Sequence, residues 1–227
     1  MIINSTLEGR GNVCFKMIPD EWLVGVERLY IAGGCIATNQ INDIDVYVNT
    51  EAFVLISNNI PKDKQAKLTN NALSVTTKEG KRVQICRYWK DTLEELVDSF
   101  DFAHIQAGVE FIREKESIFG FTLQKVYLSE NKKIAGAIGE SFFVGSEYPL
   151  SSLLRVEKYQ ERGAISKTNS KREMLKILIA VIERGFIDYE DFKKQLDAID
   201  LQYMVESDEA YALYNTFKSK GLVKECK

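Results

Sequence analysis

Two aspartates separated by a single residue, Asp43 and Asp45, are the side chains whose type and spacing best suit chemistry in this chain. Apolar, strand-like residues lie on both sides of them. Alternate side chains leave a β-strand by the same face, so both carboxylates are predicted to point together while Ile44 turns into a core. Mg²⁺ takes such hard oxygen ligands, usually one or two carboxylates completed by phosphates and water. The pattern therefore predicts a site for Mg²⁺, or for Mn²⁺ in its place.

A glycine pair, Gly33 and Gly34, precedes the aspartates and indicates what the metal would act on. Glycine has no Cβ atom, so backbone N–H groups there can approach a triphosphate closely, and the short helix predicted after the pair would present its N-terminus to the same anion. A pair of divalent ions about 3.5–4 Å apart can stabilise both oxygens of an in-line displacement at phosphorus. The order of strand, glycine pair, short helix and strand favours this chemistry. The alternative is that the two aspartates cap a turn.

Composition excludes several other classes of function. The chain has 227 residues, 45% of them apolar, with a net charge of −3 and a pI near 5.5, which gives no overall attraction to nucleic acid or to an anionic membrane. No stretch approaches the roughly 18 apolar residues of a membrane span, and the N-terminal residues lack the pattern of a secretion signal. Four scattered cysteines and one histidine do not predict structural zinc. We expect a cytoplasmic protein without membrane partners.

The elements that would position the aspartates and glycines form the first of two predicted parts. A strand ends at the glycines, a second strand opens at Asp43, and a hairpin is predicted over residues 71–89. Helices are predicted for residues 51–61, for residues 91–100 with Asp91 or Thr92 as the cap, and for residues 101–112. The first part is therefore expected to contain a mixed sheet with flanking helices.

Near Pro149 the strand-like alternation gives way to helical periodicity that continues to the end of the chain. Gly163, Gly185 and Gly221 stand where helix C-caps are expected. The sequence thus predicts an α+β protein with two domains. The first, residues 1–148, would be catalytic, and the second, residues 149–227, would be a small helical lobe.

Three segments, taken in order, resemble a known superfamily. They are the glycine pair with Asp43 and Asp45, the segment Asp101-Phe102-Ala103, and the helix predicted over residues 149–163. Together they are similar to the nucleotidyltransferase superfamily of polymerase-β-type fold. Within it they resemble the branch of tRNA nucleotidyltransferases and bacterial poly(A) polymerases, including its short phage relatives.

The resemblance implies transfer of a nucleoside monophosphate from a nucleoside triphosphate to a hydroxyl acceptor, with release of pyrophosphate. An RNA or tRNA 3′ end is the acceptor it places first, and a phage or bacterial source, hence the host cytoplasm, is implied as well. The implied roles are metal ligands at Asp43 and Asp45, a further acidic group at Asp101, and nucleotide contacts at Gly33, Gly34, Arg155, Lys158 and Tyr159.

Several of these residues also have ordinary structural interpretations. Residues 82–89 offer Gln84 but no acid, which makes Asp101 the candidate third carboxylate by resemblance, although it could equally be the N-cap of the following helix. Asn71 could hydrogen-bond a ribose or base, or form a turn. Arg155 and Lys158 could bind phosphate or belong to a salt-bridged, solvated helix face.

The chain also departs from the branch it resembles. Phe100 and Ser152 stand where that branch has arginines, and Ala37-Thr38 replace an Arg-Asp pair, so its protein template for selecting C and A is not predicted. Two alternatives therefore remain. The chain could nucleotidylate a small molecule or a protein, as toxins and resistance enzymes of the superfamily do, or it could be a non-catalytic module that binds nucleotide.

Overall fold

The computed structural model describes residues 6–38, 41–68, 72–77, 80–114, 120–197 and 207–224. The chain forms two compact units, Met1–Ile138 and Gly139–Lys227. The domain boundary expected near residue 148 lies inside the second unit. Both aspartates and both glycines of the predicted site belong to the first unit.

In the described part of the first unit, seven strands form one mixed sheet in the order β3-β4-β5-β2-β1-β6-β7. Strands β2 and β5 are parallel, and the other neighbouring pairs are antiparallel. The parallel pair lies next to β1, so the strand that ends at the glycines and the strand that carries the aspartates are central. The strands are β1 Arg28–Ala32, β2 Asp43–Tyr47, β3 Gln65–Leu68, β4 Ala72–Thr76, β5 Arg82–Cys86, β6 Ala107–Arg113 and β7 Phe121–Leu128.

Side chains that accept backbone hydrogen bonds begin several helices of the first unit. Thr6 and Asn49 accept from the backbone of the first turns of α1 and α3, and Thr92 forms a capping box with Glu95 at the start of α4. The helices are α1 Leu7–Phe15, α2 Gly34–Ala37, α3 Thr50–Asn59, α4 Leu93–Asp98 and α5 Glu130–Ile138. The prediction of a capped helix at α4 is confirmed, with Thr92 rather than Asp91 as the cap.

The two faces of the sheet have different partners. Ile44 and Val46 of β2 are fully buried and belong to the main hydrophobic cluster, which also contains apolar side chains of α1, α2 and α3. The opposite face carries Asp43 and Asp45, and α4 packs there against β6. Helix α4 meets Gly108 of β6, where an added Cβ atom would lie 2.9 Å from Val97 Cγ2. The aspartate face is thus partly covered by α4, and the other face holds most of the core.

The described part of the second unit is helical, with α6 Pro149–Glu161, α7 Lys167–Arg184, α8 Tyr189–Asp197 and α9 Ser207–Ser219. A fully buried carboxylate, Glu173, accepts hydrogen bonds from the Phe143 amide at 2.7 Å and from Lys176 Nζ at 2.9 Å. Gly185 ends α7 with φ 63°, as its predicted C-cap role requires. No helix in the described ranges combines the length and hydropathy needed to cross a membrane.

The α+β class and the mixed sheet with flanking helices are confirmed, as are the helix at α3 and the hairpin formed by β4 and β5. The helix predicted over residues 101–112 is wrong. That segment holds one 3₁₀ turn, Ala103–Ile105, followed by β6. β6 lies between β1 and β7 and its first five residues are buried, so its apolar run lacks the alternation that usually indicates a strand. Phe102, not Asp101, occupies the N-cap position of the 3₁₀ turn.

Replacing Gly108 by alanine should weaken the packing of α4 on the sheet. The added methyl would lie 2.9 Å from both Ala32 Cβ and Val97 Cγ2, so neighbouring atoms must move, at a cost of about 1–3 kcal/mol in the free energy of unfolding. Gly136→Ala in α5 is the matched control, because no atom lies within 4 Å of its added Cβ, and it should leave stability unchanged or raised. Urea unfolding measures both variants. Equal midpoints for Gly108→Ala and wild type would contradict the packing described here.

Candidate active site

Asp43 and Asp45 leave β2 by the same face. They alternate with Ile44 and Val46, which are buried in the main core, while both aspartates are partly exposed. Their carboxylates therefore lie on the face opposite the main hydrophobic cluster. This arrangement is the one that the spacing of the pair predicts.

Asp43 forms a two-pronged ion pair with Arg82 of the neighbouring strand. The parallel register places the two residues side by side, and Arg82 Nη2 and Nε donate to the two carboxylate oxygens at 2.6 and 3.1 Å. Both side chains are partly exposed, 25% for Asp43 and 39% for Arg82. Exposed pairs typically contribute only about 0.2–1 kcal/mol, although two-pronged geometry favours the upper end. No local sequence pattern indicates Arg82 as part of the site.

Asp45 lies against the bend formed by the first glycine. Gly33 has φ 90°, and a Cβ atom there would lie 3.5 Å from Asp45 Oδ2. The Gly33 amide donates to the Ala107 carbonyl at 2.9 Å, so this amide serves the fold, and a phosphate contact by Gly33 stays a prediction. At Gly34 an added Cβ would meet no atom within 4 Å, which leaves room for a ligand beside the backbone.

Two buried thiols lie close enough to Asp45 to sense its charge. Burial, followed by the Asp45 charge, raises the pKa of the Cys86 thiol. A hydrogen bond with Cys14, followed by burial, raises the pKa of the Cys35 thiol. Both thiols are therefore protonated near neutral pH when no cation is bound. The two aspartates supply the carboxylate oxygens of this part of the site.

Aromatic rings flank the glycine bend and the sheet face beside it. An added Cβ at Gly33 would lie 4.0 Å from Phe100 Cε2, and the Phe100 ring centroid is 5.7 Å from that of Tyr47. Further along β1, the buried Tyr30 stacks on Trp89 with centroids 4.5 Å apart. An open depression of about 500 Å³ lies beside this stack, lined by Trp89, Lys90, Asp91, Glu95 and Ser99. The sequence places Phe100 on the apolar face of the helix predicted over residues 91–100, where the related branch has an arginine, but it does not predict the stack of Tyr30 on Trp89.

Asp43 and Asp45 carry the hard oxygen ligands that Mg²⁺ or Mn²⁺ takes, usually together with phosphates and water. Within the described ranges, no group of three or more His, Cys, Asp or Glu side chains is arranged to hold a metal. On β5, Gln84 is the register partner of Asp45 and brings no charge. A bound ion would therefore depend on phosphate oxygens more than it would at a site with three carboxylates.

The structure places the other predicted residues as follows. Asp101 is buried, with 3% of its surface exposed, directly after Phe100. Arg155, Lys158 and Tyr159 lie on α6 in the second unit, where the first two are half-exposed and Tyr159 is buried. Asn71 lies outside the described residues. The roles given to these residues stay predictions.

The fold and the site define a class, an α+β protein whose mixed sheet presents two neighbouring carboxylates beside a glycine bend. The model of the Gabija anti-defense 2 family protein matches residues 10–133, a range that contains both aspartates, both glycines and Arg82. The chain belongs to this family. No curated protein sequence matches it.

Solved structures of tRNA-processing enzymes are similar to the chain at low identity. A CCA-adding enzyme of Thermotoga maritima in complex with tRNA is 15% identical, with a TM-score of 0.47 over 96% of this chain and 55% of that one. A CCA-adding enzyme with CTP is 16% identical, with a TM-score of 0.46 over 91% of this chain and 52% of that one. The chain thus spans about half the length of the solved structures it matches.

Alanine substitutions at Gly33 and Gly34 should differ in their effect on stability, because Gly33 forms the bend and Gly34 borders open space. Gly33→Ala places a side chain at φ 90°, in a backbone region used almost only by glycine, and should lower the free energy of unfolding by about 1–3 kcal/mol. Gly34→Ala meets no neighbour and should leave stability close to that of wild type. Urea unfolding of both variants measures the difference. A Gly33→Ala protein as stable as Gly34→Ala would show that the bend is not as described.

Proposed function

We propose that the chain is a metal-dependent nucleotidyltransferase. It would move a nucleoside monophosphate from a nucleoside triphosphate to a hydroxyl acceptor and release pyrophosphate. The observation that carries the proposal is the placement of Asp43 and Asp45 on one face of β2, with Asp45 Oδ2 against the bend at Gly33. Membership of an anti-defense family is compatible with such an enzyme and bears on its acceptor.

Each element of the site has a defined part in this proposal. Asp43 and Asp45 would hold Mg²⁺ or Mn²⁺, which supplies electrostatic stabilisation of the charge that develops on the phosphate oxygens. The open space at Gly34 lets the triphosphate approach the backbone. Phe100 and Tyr47 supply apolar surface beside the site, which limits the access of water to the phosphates. The chain's contribution is mainly positioning, as expected for phosphoryl-type transfer.

The proposed reaction is a substitution at the α-phosphorus. The acceptor oxygen forms a bond to that phosphorus, the bond from the α-phosphorus to its bridging oxygen breaks, and pyrophosphate leaves with the bonding electrons. The hydroxyl proton is released to solvent. Asp101 is the predicted further acidic group, and Arg155, Lys158 and Tyr159 are the predicted nucleotide contacts from the second unit.

Loss of either site carboxylate should abolish transfer without unfolding the protein. Asp43→Asn and Asp45→Asn each keep the size of the side chain and remove the charge that binds the metal, so nucleotide incorporation should fall at least about 100-fold. Asp98→Asn is the matched control and should keep its activity. It makes the same change at an exposed aspartate of α4, which accepts a hydrogen bond from the Tyr127 hydroxyl and is not a proposed metal ligand. The measurement is incorporation of label from α-³²P triphosphates with Mg²⁺. Full activity of Asp45→Asn would refute the assigned role.

The acceptor is the point at which the two lines of support differ. The sequence resemblance favours an RNA or tRNA 3′ end. The family match favours a second candidate, a hydroxyl on a component of the system that the family's name calls Gabija. Transfer to a small molecule belongs to the same reaction class.

Incubation with each of the four labelled triphosphates and three acceptor pools should separate these candidates. The pools are total RNA with tRNA, purified Gabija proteins, and small hydroxyl compounds. We expect label in the RNA pool, with a preference for one of the four triphosphates. The label incorporated by Asp45→Asn gives the background level. Label in the protein fraction, with a nucleotide mass adduct, would reassign the acceptor. If a preparation that binds triphosphate incorporates no label into any pool, the proposed transfer is refuted, and the chain is instead a non-catalytic module that binds nucleotide.

A further inference from the structure

Arg82 holds the Asp43 carboxylate, one of the two predicted metal ligands, in a two-pronged ion pair. Its guanidinium donates to both oxygens of that carboxylate, at 2.6 and 3.1 Å, from the adjacent parallel strand. A guanidinium stays protonated at all physiological pH values, so Arg82 always presents a full positive charge here. A divalent cation arriving at Asp43 finds one lone pair of each oxygen already engaged and is repelled by the guanidinium charge.

The exposure of the Arg82–Asp43 ion pair allows Arg82 to change its partner. Both side chains are partly exposed, 25% and 39%, so water screens their attraction and can solvate either group after separation. A guanidinium presents a planar fork of donors that fits a phosphate as well as it fits a carboxylate. Arg82 can therefore give up Asp43 whenever a polyphosphate takes the place of the carboxylate as its partner.

We propose that Arg82 is a triphosphate-binding residue that closes the metal site until substrate arrives. Without nucleotide, its guanidinium neutralises Asp43 and keeps the affinity for a free divalent ion low. When metal and triphosphate enter together, Arg82 turns from Asp43 to the phosphates and Asp43 becomes a metal ligand. This inference rests on the proposed function, because it requires that Asp43 and Asp45 bind metal.

The consequence is a coupling between two ligands at one site. Arg82 opposes the bare ion and favours the ion when it is accompanied by polyphosphate, so each ligand raises the affinity for the other by the same factor. Gln84, beside Asp45, supplies no charge that could replace this effect. A single uncharged substitution at Arg82 should thus change the two affinities in opposite directions.

The test uses the full chain with Mn²⁺ alone and with preformed Mn²⁺–tripolyphosphate, a probe that needs no knowledge of the base. Free Mn²⁺ is followed by electron paramagnetic resonance, and binding of the complex by calorimetry. Arg82→Gln should bind bare Mn²⁺ several-fold more tightly than wild type, and the complex about tenfold or more weakly. Arg82→Lys keeps the positive charge but loses the planar fork of donors, so both of its affinities should lie between those of wild type and Arg82→Gln.

Controls separate this mechanism from damage to the fold. Arg87→Gln removes a positive charge from the segment just after β5, where Arg87 lies over the Phe53 ring at 5.8 Å, and should match wild type in both measurements. Urea unfolding confirms that each variant is folded. A merely structural role for Arg82 predicts that both affinities fall in Arg82→Gln, and that result would overturn the inference.

Asp45→Asn distinguishes failure of this inference from failure of the proposed function. If Asp45→Asn abolishes Mn²⁺ binding while Arg82→Gln leaves both affinities at the wild-type value, the metal site stands and the role of Arg82 is refuted. If Asp45→Asn binds Mn²⁺ as wild type does, the aspartates are not the metal site, and the proposed function fails together with the inference.

Discussion

The parallel pairing of β2 with β5 is the constraint on which the site depends. It sets Asp43 beside Arg82 and Asp45 beside Gln84, and because paired residues on neighbouring strands share a face, all four side chains lie on the same side of the sheet. A register shift of one residue would turn this set into the core and bring Ile44 to the surface. The fully buried Ile44 makes such a shift costly, so the hydrophobic core on one face holds the charged arrangement on the other.

The glycine bend adds a second constraint on the site. β1 is antiparallel to β2, so the end of β1 meets the beginning of β2, and Gly33 turns the chain beside Asp45 Oδ2. The Ala107 carbonyl accepts from the Gly33 amide, which ties this bend to the start of β6. The absence of a side chain at Gly108 then lets α4 approach the same strand, and Phe100 follows α4 closely. Small residues thus bring a carboxylate, a bend and an aromatic ring together.

Local patterns predicted the parts of this structure that depend on neighbouring residues. Alternation around Ile44 indicated the face of the aspartates, and Thr92 indicated the start of α4. Long-range pairing was beyond those patterns: the partner of Asp43 lies 39 residues away, and its identity depends on strand order and register. The helix predicted where β6 lies is wrong for a related reason: a strand buried between two neighbours lacks the alternation of apolar and polar residues that indicates a half-exposed strand.

The register of β2 with β5 also determines what a substitution at Gln84 would do. Glutamine and glutamate codons differ by one base, and position 84 stands beside Asp45 on the aspartate face of the sheet. A single nucleotide change can therefore place a third carboxylate beside the pair, on the same face of the sheet. In this fold, a site with two acids and a site with three acids on one sheet face differ by one base change at position 84.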